Sequence, residues 1–452
     1  MFFLITAIRI FIEYKLSLFT FKEFKNFKQL INPLFMTLAG KTGVGTLIGV
    51  SLAIYLSGYG AILWMIITGI IGSFISHFEG KMSTKYYEKK DEVVGGGYYF
   101  IEKATNRPKK AKLYAFILFL TLIIGFVMIQ TSTLMESLII IFDIPKLVLA
   151  CLLLLLTYLL IKNGKKGIIH ACDVIVPILC LILLSIGIYI IIKNSNLIKP
   201  YFIRIIEDAK SLKGMTLGVI IESIIIALRR GIFANESGLG TVYFSATTYK
   251  GKSEEAMGTV ESIAVIFVSV VITSIVGFII YSANLDLSIF DTRYLDGKLN
   301  GIEVLVSSFY YHLGSPGVYT LALLVFIFGL STIIVLYFYG LNMVKYLNLK
   351  IKSKLIYFLL LLILVASFIK VKIIWYLTDI LVACALIINL SSILEFFYLK
   401  NLNKKNTWFF FCSIVYLYVL KSILQMARVA KWLTLRIVAP AFEGSIPFSR
   451  PI

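Results

Sequence analysis

Uninterrupted apolar stretches of roughly 18 or more residues restrict the fold of this chain most, because a helix of that length crosses a bilayer. They recur along 452 residues, of which 59% are hydrophobic and only 15% are charged. A soluble domain normally carries about 25% charged residues. The composition therefore excludes a soluble enzyme, a secreted disulfide scaffold and a disordered chain. Continuous apolar stretches also exclude a membrane barrel, whose short strands alternate apolar and polar residues.

The hydropathy pattern predicts an all-α polytopic membrane protein with eleven spans. The first span is weak, because Arg9, Glu13 and Lys15 interrupt it, and a twelfth apolar stretch, 408–423, is short. The predicted spans are 2–19, 33–57, 60–80, 113–142, 147–161, 168–192, 215–249, 257–283, 316–344, 355–369 and 373–399.

The basic residues predict the orientation in the membrane. One alternate set of loops, which includes 81–112, holds 25 Lys and Arg residues, and the other set, which includes 285–315, holds 10. Cytoplasmic loops carry the excess of Lys and Arg, so the first set is predicted to face the cytoplasm. Because the net charge of +20 lies mainly between the spans, nucleic acid is not an expected partner. The chain is expected in the bacterial plasma membrane, with the lipid bilayer as its surroundings and no obligate protein partner.

The cysteines and histidines indicate neither a metal centre nor a disulfide framework. The five cysteines form no CxxC pair, and His77, His170 and His312 lack metal-ligand spacing. The N-terminus also lacks the basic region and the cleavage site of a signal peptide. No organic cofactor and no catalytic residue is predicted.

Two predicted spans contain glycines and charges in their middle. The first, 33–57, holds LAGKTGVGTLIGV, and the second, 215–249, holds RRGIFANESGLGT. Glycine weakens a helix, and a charge inside a span is costly, so such segments are tolerated where irregular backbone lines a cavity. A pair of Gly-interrupted spans five apart is typical of an inverted-repeat transporter with its binding site at the midplane. Close helix packing explains Gly45 and Gly49 alone, but not Asn235 and Glu236 beside three further glycines.

These two stretches resemble the alanine-or-glycine:cation symporter family. The first is similar to its pattern LAGRVGTGNIAGVATAI and the second to KRGLFSNEAGLGS, while GGGYYFIEK is similar to its GGPMYYIEK. The resemblance extends in order over roughly residues 1–400. It implies a LeuT-type fold, a 5+5 inverted repeat of ten core helices after one extra N-terminal helix, with core helices 1 and 6 broken. It further implies symport of a small neutral amino acid with Na⁺ or H⁺.

The same resemblance divides the chain into four parts. The extra helix and its loop occupy 1–30, the first repeat 31–195, the second repeat 196–400, and a C-terminal extension 401–452. The tail from about Arg428 has no counterpart in the family, and it is interpreted either as an interfacial segment or as a non-native extension.

The expected substrate site combines the two interruptions with two polar span residues. Backbone N–H groups at a half-helix terminus suit a carboxylate, and glycine lets the backbone approach it. At the family's Gln position, Gln130 is expected to contact the substrate, although a lone Gln in a span also forms interhelical hydrogen bonds. The predicted substrate-binding residues are Val44, Gly45, Thr46, Gln130, Phe233, Ala234, Asn235, Ser237, Thr332 and Leu336.

The expected cation site is carried over from the LeuT-type fold. Backbone carbonyls at the first interruption and on a later span would meet two adjacent hydroxyl groups in the sequence GLST. A hard cation such as Na⁺ favours oxygen ligands of this kind. The predicted cation-binding residues are Ala39, Thr42, Thr46, Phe328, Ser331 and Thr332.

Two acidic residues in the spans are given structural interpretations. Glu236 is predicted to form an ion pair with Arg230 or Lys41, because an unpaired charge in a membrane is costly. Glu79, between His77 and Lys81, is interpreted as a charge at the membrane interface.

The sequence also departs from the family pattern. Val44, Thr46 and Gly97 replace its Thr, Asn and Pro, Val268 replaces an Asp, and Leu336 replaces a Trp. These changes suggest an altered substrate range or weakened coupling. The alternative function is a LeuT-fold paralogue that senses its ligand without transport, or one that carries a larger neutral amino acid with protons. An intramembrane enzyme would need HExxH or paired aspartates, which the sequence lacks, and a channel has no need of two matched broken helices.

Overall fold

The computed structural model describes residues 2–14, 28–89, 93–142, 144–210, 217–251, 253–283, 301–351, 354–369 and 371–401. Residues 1–390 form one compact unit, and 391–452 form a second, of which the structure describes 391–401. The predicted stretch 408–423 and the tail from Arg428 lie outside the described residues.

The first half of the chain is almost entirely helical. A two-stranded antiparallel hairpin, β1 (Glu88–Lys89) with β2 (Val93–Val94), is the exception there. The helices are α1 (Phe2–Tyr14), α2 (Ile31–Lys41), α3 (Val44–Ser57), α4 (Gly60–Ser83), α5 (Gly97–Thr105), α6 (Pro108–Phe119), α7 (Val127–Phe142), α8 (Lys146–Ile161) and α9 (Gly164–Lys193). A π-helical stretch, Leu120–Phe126, joins α6 to α7, so Pro108–Phe142 is one span.

The second half continues with eight further helices in the described part of the chain. They are α10 (Ile198–Lys210), α11 (Leu217–Asn235), α12 (Val242–Ser245), α13 (Glu254–Ile266), α14 (Thr273–Ser282), α15 (Ile302–Tyr346), α16 (Leu355–Ala366) and α17 (Val371–Asn401). A second π-helical stretch, Phe267–Ile272, joins α13 to α14. Such stretches are rare and often lie at functional sites.

Six helical spans among the described residues are long and apolar enough to cross a membrane, and the bent pair α2–α3 makes a seventh. Two shorter apolar helices, α8 and α16, add to these. The protein is therefore a multi-pass helical membrane protein. The core lies where α4 packs along α11 and α13, and where α15 packs on α3, α7 and α9.

Residues 97–105, in the predicted loop 81–112, form the helix α5, and two further segments also differ from the sequence prediction. Residues 198–210, expected to lie in a loop, form the amphipathic helix α10, which buries Tyr201 and Ile205. Its Asp208 carboxylate accepts a hydrogen bond from the Tyr59 N–H at 3.1 Å, just before α4. Because α10 is amphipathic and of low mean hydropathy, its sequence does not resemble a membrane span.

The other segment is α15, which begins at Ile302 rather than near 316. Its 45 residues would extend about 65 Å at 1.5 Å per residue, more than twice a bilayer core. Gly314, at φ 65° and ψ −156°, divides it into two helices. The part after Gly314 corresponds to the predicted span.

Candidate functional site

The first helix interruption lies between Lys41 and Val44, where α2 and α3 meet at a bend of 44°. The Thr42 N–H donates to the Leu38 carbonyl at 2.7 Å and closes α2. The Thr46 hydroxyl donates to the Lys41 carbonyl at 2.5 Å across the break. The interruption is therefore an ordered structure in which a side-chain hydroxyl and a backbone N–H group form hydrogen bonds with carbonyl groups at the end of α2.

Gln130 on α7 binds the start of α3 directly. Its Oε1 accepts a hydrogen bond from the Val44 N–H at 3.0 Å, and Gln130 is 2% exposed. The first N–H groups of a helix have no partner within the helix and carry its positive dipole end. The sequence predicted that Val44 and Gln130 both contact a substrate, and the structure brings them together as an interhelical pair.

Gly43 leaves the space that this contact needs. A Cβ at Gly43 would lie 2.5 Å from Gln130 Nε2 and 2.8 Å from the Thr332 hydroxyl. Only a residue without a side chain lets α7 and α15 approach the break so closely. Sequence reasoning did not include Gly43 among the site residues, although it lies within the quoted glycine pattern.

The second interruption follows α11. Its residues 236–241 are non-helical, and Glu236 (φ 51°), Gly238 (φ 81°) and Gly240 (φ 74°) adopt the left-handed conformation. The Asn235 side chain accepts a hydrogen bond from the Ser237 N–H at 3.0 Å and turns the chain. Phe233 and Ala234 were expected within the interruption together with Asn235, but all three are the last residues of α11. Ser237 lies in the interruption itself, where its hydroxyl accepts a hydrogen bond from Ser76 at 3.0 Å.

The two interruptions meet inside the protein. The Lys41 ammonium donates to the Asn235 carbonyl at 2.5 Å, so the end of α2 is bonded to the end of α11. The Phe233 ring lies against Gly45 at the start of α3. Phe233 also packs on Phe126 and Trp375, with ring centroids 4.5 and 4.6 Å away. An aromatic group therefore covers one side of the α3 N-terminus.

Oxygen atoms of α2 and α15 converge beside the first break. The Thr332 hydroxyl lies 2.8 Å from the Ala39 carbonyl oxygen and 3.0 Å from the Phe328 carbonyl oxygen. The Ser331 hydroxyl lies 2.9 Å from the same Phe328 oxygen. All four residues are buried, with at most 1% of their surface exposed. Uncharged oxygens in this arrangement suit Na⁺, a hard cation, better than a soft transition metal.

The remaining predicted residues occupy the surroundings of this cluster. The Thr42 hydroxyl donates to the Leu38 carbonyl at 2.6 Å, which is a bond within its own helix turn. Leu336, one turn after Thr332 on α15, is fully buried. Val268, which replaces the family's Asp, is fully buried in the second π-helical stretch. The Val44 side chain faces α15, since a Cβ on Gly329 would lie 2.7 Å from it.

The predicted ion pair of Glu236 is wrong in the part of the chain that the structure describes. Arg230 instead pairs with Asp379 on α17, with Nη2 at 2.9 and 3.1 Å from the carboxylate oxygens. Its guanidinium also lies 3.9 Å from the centre of the Trp375 ring, a cation–π contact. Lys41 is engaged with the Asn235 carbonyl.

The interfacial interpretation of Glu79 is also wrong. Glu79 is 0% exposed, and its Oε1 accepts a hydrogen bond at 2.7 Å from Asn389 on α17. Asn389 also donates at 2.7 Å to the Gly238 carbonyl in the second interruption. Its neighbours His77 and Lys81 both pair with Glu255 at the start of α13. Position near the end of a span does not reveal burial within a bundle.

Comparisons with known proteins identify the family. The model of the sodium:alanine symporter family matches residues 6–407. The chain is 29% identical over 365 residues to the probable sodium/glutamine symporter GlnT of Bacillus subtilis, covering 79% of this chain and 74% of the relative. It is 28% identical over 323 residues to the sodium/alanine symporter AgcS of Methanococcus maripaludis, covering 70% and 69%.

A solved structure gives the same fold without close sequence similarity. A mutant form of the manganese transporter of Eremococcus coleocola superimposes with a TM-score of 0.54 at 14% identity, covering 94% of this chain and 90% of the other. That likeness concerns the fold alone. The family match over nearly the whole chain, together with relatives that are symporters, decides the identity. The chain belongs to the sodium:alanine symporter family and is a membrane transporter, not an enzyme.

Proposed function

We propose that this protein is a secondary active symporter in which sodium entry drives the uptake of a small neutral amino acid by alternating access. Protons are the alternative coupling ion. The proposal rests on the contact between the two helix interruptions beside a cluster of uncharged oxygens. Lys41 is hydrogen-bonded to the Asn235 carbonyl, and Thr332 is hydrogen-bonded to the Ala39 carbonyl. Uptake into proteoliposomes under an imposed sodium gradient tests it.

The substrate site of this proposal lies at the start of α3. Its N–H groups, with the positive end of the helix dipole, bind the substrate carboxylate. The Gln130 carboxamide, which bonds the Val44 N–H in this structure, then turns to the bound amino acid. Phe233 forms the wall opposite Gly45, while Ala234 and Asn235 supply backbone from the end of α11 and Ser237 supplies it from the second interruption.

The proposed cation site adjoins the substrate site at the first break. The carbonyls of Ala39, Thr42 and Phe328 and the hydroxyls of Ser331 and Thr332 are the proposed ligands, and Thr46 contributes between the two sites. Because the first break supplies both sites, an ion that binds the Ala39 carbonyl also fixes the start of α3. Such shared backbone gives a physical route for coupling.

The proposed architecture is the LeuT-type 5+5 repeat. The α2–α3 pair and the α11–α12 pair are its two broken core helices, five spans apart, with repeats at 31–195 and 196–400. The bend of 44° at the first break and the left-handed residues 236–240 support it. α1 is the extra N-terminal helix.

Cysteine labelling tests the proposed orientation in the bacterial plasma membrane. The segment 81–112 is expected inside and the segment 285–315, which runs into the first part of α15, outside, because the first set of segments carries the Lys and Arg excess. Single cysteines placed in the two segments, in a chain free of other cysteines, are treated in intact cells with a membrane-impermeant maleimide. We expect labelling at 285–315 only. Labelling of the segment 81–112 in intact cells would reverse the orientation.

Leu336→Trp is expected to shift selectivity toward alanine and glycine. In this proposal Leu336 lines the pocket on the Thr332 face of α15, and its isobutyl group leaves more room than an indole. Room for one methylene in an apolar pocket is worth roughly 1–3 kcal/mol of discrimination. The wild type should therefore also accept serine, threonine or a small aliphatic amino acid.

Competition of labelled uptake by unlabelled amino acids, run on both proteins, measures this shift. Leu323→Trp is the matched control, because Leu323 lies on the same helix with 48% of its surface exposed. An identical rank order for wild type and Leu336→Trp would show that Leu336 does not face the substrate.

A further inference from the structure

Three buried glutamates lie at or near the second helix interruption and act on one another electrostatically, outside the proposed substrate and cation sites. Glu79 on α4 and Glu261 on α13 are 0% exposed, and Glu236 is 2% exposed. The buried cation among them is Lys41, whose ammonium acts electrostatically on all three carboxyl groups. Three negative charges and one positive charge would leave an excess of two negative charges in a membrane interior.

Ion pairs do not compensate this excess among the described residues. Lys41 donates to the Asn235 carbonyl, and Arg230 pairs with Asp379. The described residues also include no group of three or more acidic, His or Cys side chains that could share a metal ion. Isolated carboxylates are far too costly to bury in a medium of low dielectric constant, and they become neutral by taking up a proton.

The two carboxyl oxygens of Glu261 differ in their hydrogen bonds. Its Oε1 accepts from the Thr37 hydroxyl at 2.7 Å and from the Ser245 hydroxyl at 2.9 Å. Its Oε2 is buried without a hydrogen-bond partner among the described residues. A carboxylate is acceptor-only at both oxygens, whereas a protonated acid has one carbonyl oxygen and one hydroxyl. An oxygen buried without a partner costs more free energy in a charged group than in a neutral one, so the unsatisfied Oε2 favours the protonated form of Glu261.

Thr37 connects this carboxyl group to the part of the protein that binds the cation. It lies on α2, two residues before Ala39, while Glu261 lies on α13. Other titratable or charged groups facing Glu261 are Lys41 from α2, Glu79 from α4, Glu236 from the second interruption and Tyr339 from α15. On its own helix, Glu255 is engaged with His77 and Lys81.

We propose that Glu261 is a proton-binding site of this transporter, and that its proton keeps the contact between α2 and α13, which Thr37 bridges, free of a buried negative charge. Loss of the proton leaves a charged carboxylate with one unsatisfied oxygen in the packed interior, and the cost of burying this charge favours separation of α2 from α13 and entry of water. The effect on uptake rests on the proposed symport, whereas the protonation of Glu261 does not.

Infrared spectroscopy tests the protonation directly. Purified protein in lipid bilayers at neutral pH is expected to show a carbonyl band of a protonated carboxyl group, which shifts in D₂O. Glu261→Gln should remove intensity from this band. Glu254→Gln is the matched control on the same helix, because Glu254 is partly exposed and pairs with Lys85 at 2.8 Å. Absence of the band in the wild type, or an unchanged band in Glu261→Gln, would overturn the proposal.

The pH dependence of uptake tests the coupling to α2. Sodium-driven uptake by the wild type should fall as the pH rises through the titration of Glu261, because the charged form is the inactive one. Glu261→Gln is neutral at every pH and should retain uptake on the alkaline side, while Glu254→Gln follows the wild type. An alkaline fall of the same size in Glu261→Gln would contradict the coupling. A wild type that takes up no amino acid would refute the symport proposal, and the infrared result would still decide on the proton.

Discussion

Replacing Ser331 and Thr332 together by alanine is expected to abolish sodium-driven uptake while the protein still folds and inserts. The two hydroxyl groups lie at 2.8–3.0 Å from the Ala39 and Phe328 carbonyls and are the proposed side-chain ligands. A hydrogen bond or ligand contact to a charged group is worth about 1.5–3 kcal/mol. The loss of two such contacts should weaken the apparent sodium affinity by roughly 100-fold or more, at about 1.4 kcal/mol for each factor of ten.

Two further variants distinguish the loss of a cation ligand from a disturbance of helix α15. Thr320→Ala removes a hydroxyl on the same helix that bonds only its own turn, at 2.8 Å from the Pro316 carbonyl, and should leave uptake unchanged. Thr332→Ser in the wild-type background keeps the oxygen and should retain most of the sodium affinity. Unaltered sodium dependence in the double alanine variant would mean that the cation binds elsewhere or that protons drive transport.

Gly43→Ala is expected to weaken substrate and sodium binding together through a single added methyl group. Its Cβ would lie 2.5 Å from Gln130 Nε2, 2.9 Å from Gln130 Oε1 and 2.8 Å from the Thr332 hydroxyl. These atoms belong to the proposed substrate and cation sites, so both sites must shift. Overpacking of a well-packed core costs about 1–3 kcal/mol. If that cost falls on binding, the apparent affinity for substrate and for sodium falls by about 10- to 100-fold.

Gly49→Ala is the matched control for this substitution. Gly49 lies on α3, one and a half turns further along, and an added Cβ there would meet nothing within 4 Å. Its uptake should equal that of the wild type, and its thermal stability should be the same or higher, since alanine favours a helix over glycine by about 1 kcal/mol. Equal loss of uptake in both variants would show that the loss does not come from the contacts of Gly43. Wild-type uptake in Gly43→Ala would contradict the proposed substrate and cation sites.

The positions of the two helix interruptions were accessible from sequence because glycine and charge within a span have a local energetic cost. The same pattern carries only local information. It did not reveal that the Gln130 carboxamide would bond the Val44 N–H, since that contact joins residues 86 positions apart. Nor did it identify Asp379 as the partner of Arg230, 149 positions away.

Burial inside a helix bundle was the other property that sequence could not supply. Glu79 lies beside His77 and Lys81, a sequence that is typical of a membrane interface, yet its carboxyl group is fully buried against Asn389. Glu261 was not singled out from the sequence, because it lies near the start of the predicted span 257–283, where a carboxyl group can face water. Only the packing of α2 and α12 against α13, which places the Thr37 and Ser245 hydroxyls on its Oε1, distinguishes it.

The most direct test of the proposed symport is uptake of labelled alanine, glycine and glutamine by purified protein in proteoliposomes. Three conditions are compared: an inward sodium gradient, an inward proton gradient at equal sodium, and no gradient. We predict concentrative uptake of at least one neutral amino acid under the sodium gradient, which collapses when a sodium ionophore is added. Tight binding of an amino acid without uptake under any gradient would contradict symport and favour a sensor, and uptake under the proton gradient alone would contradict sodium coupling.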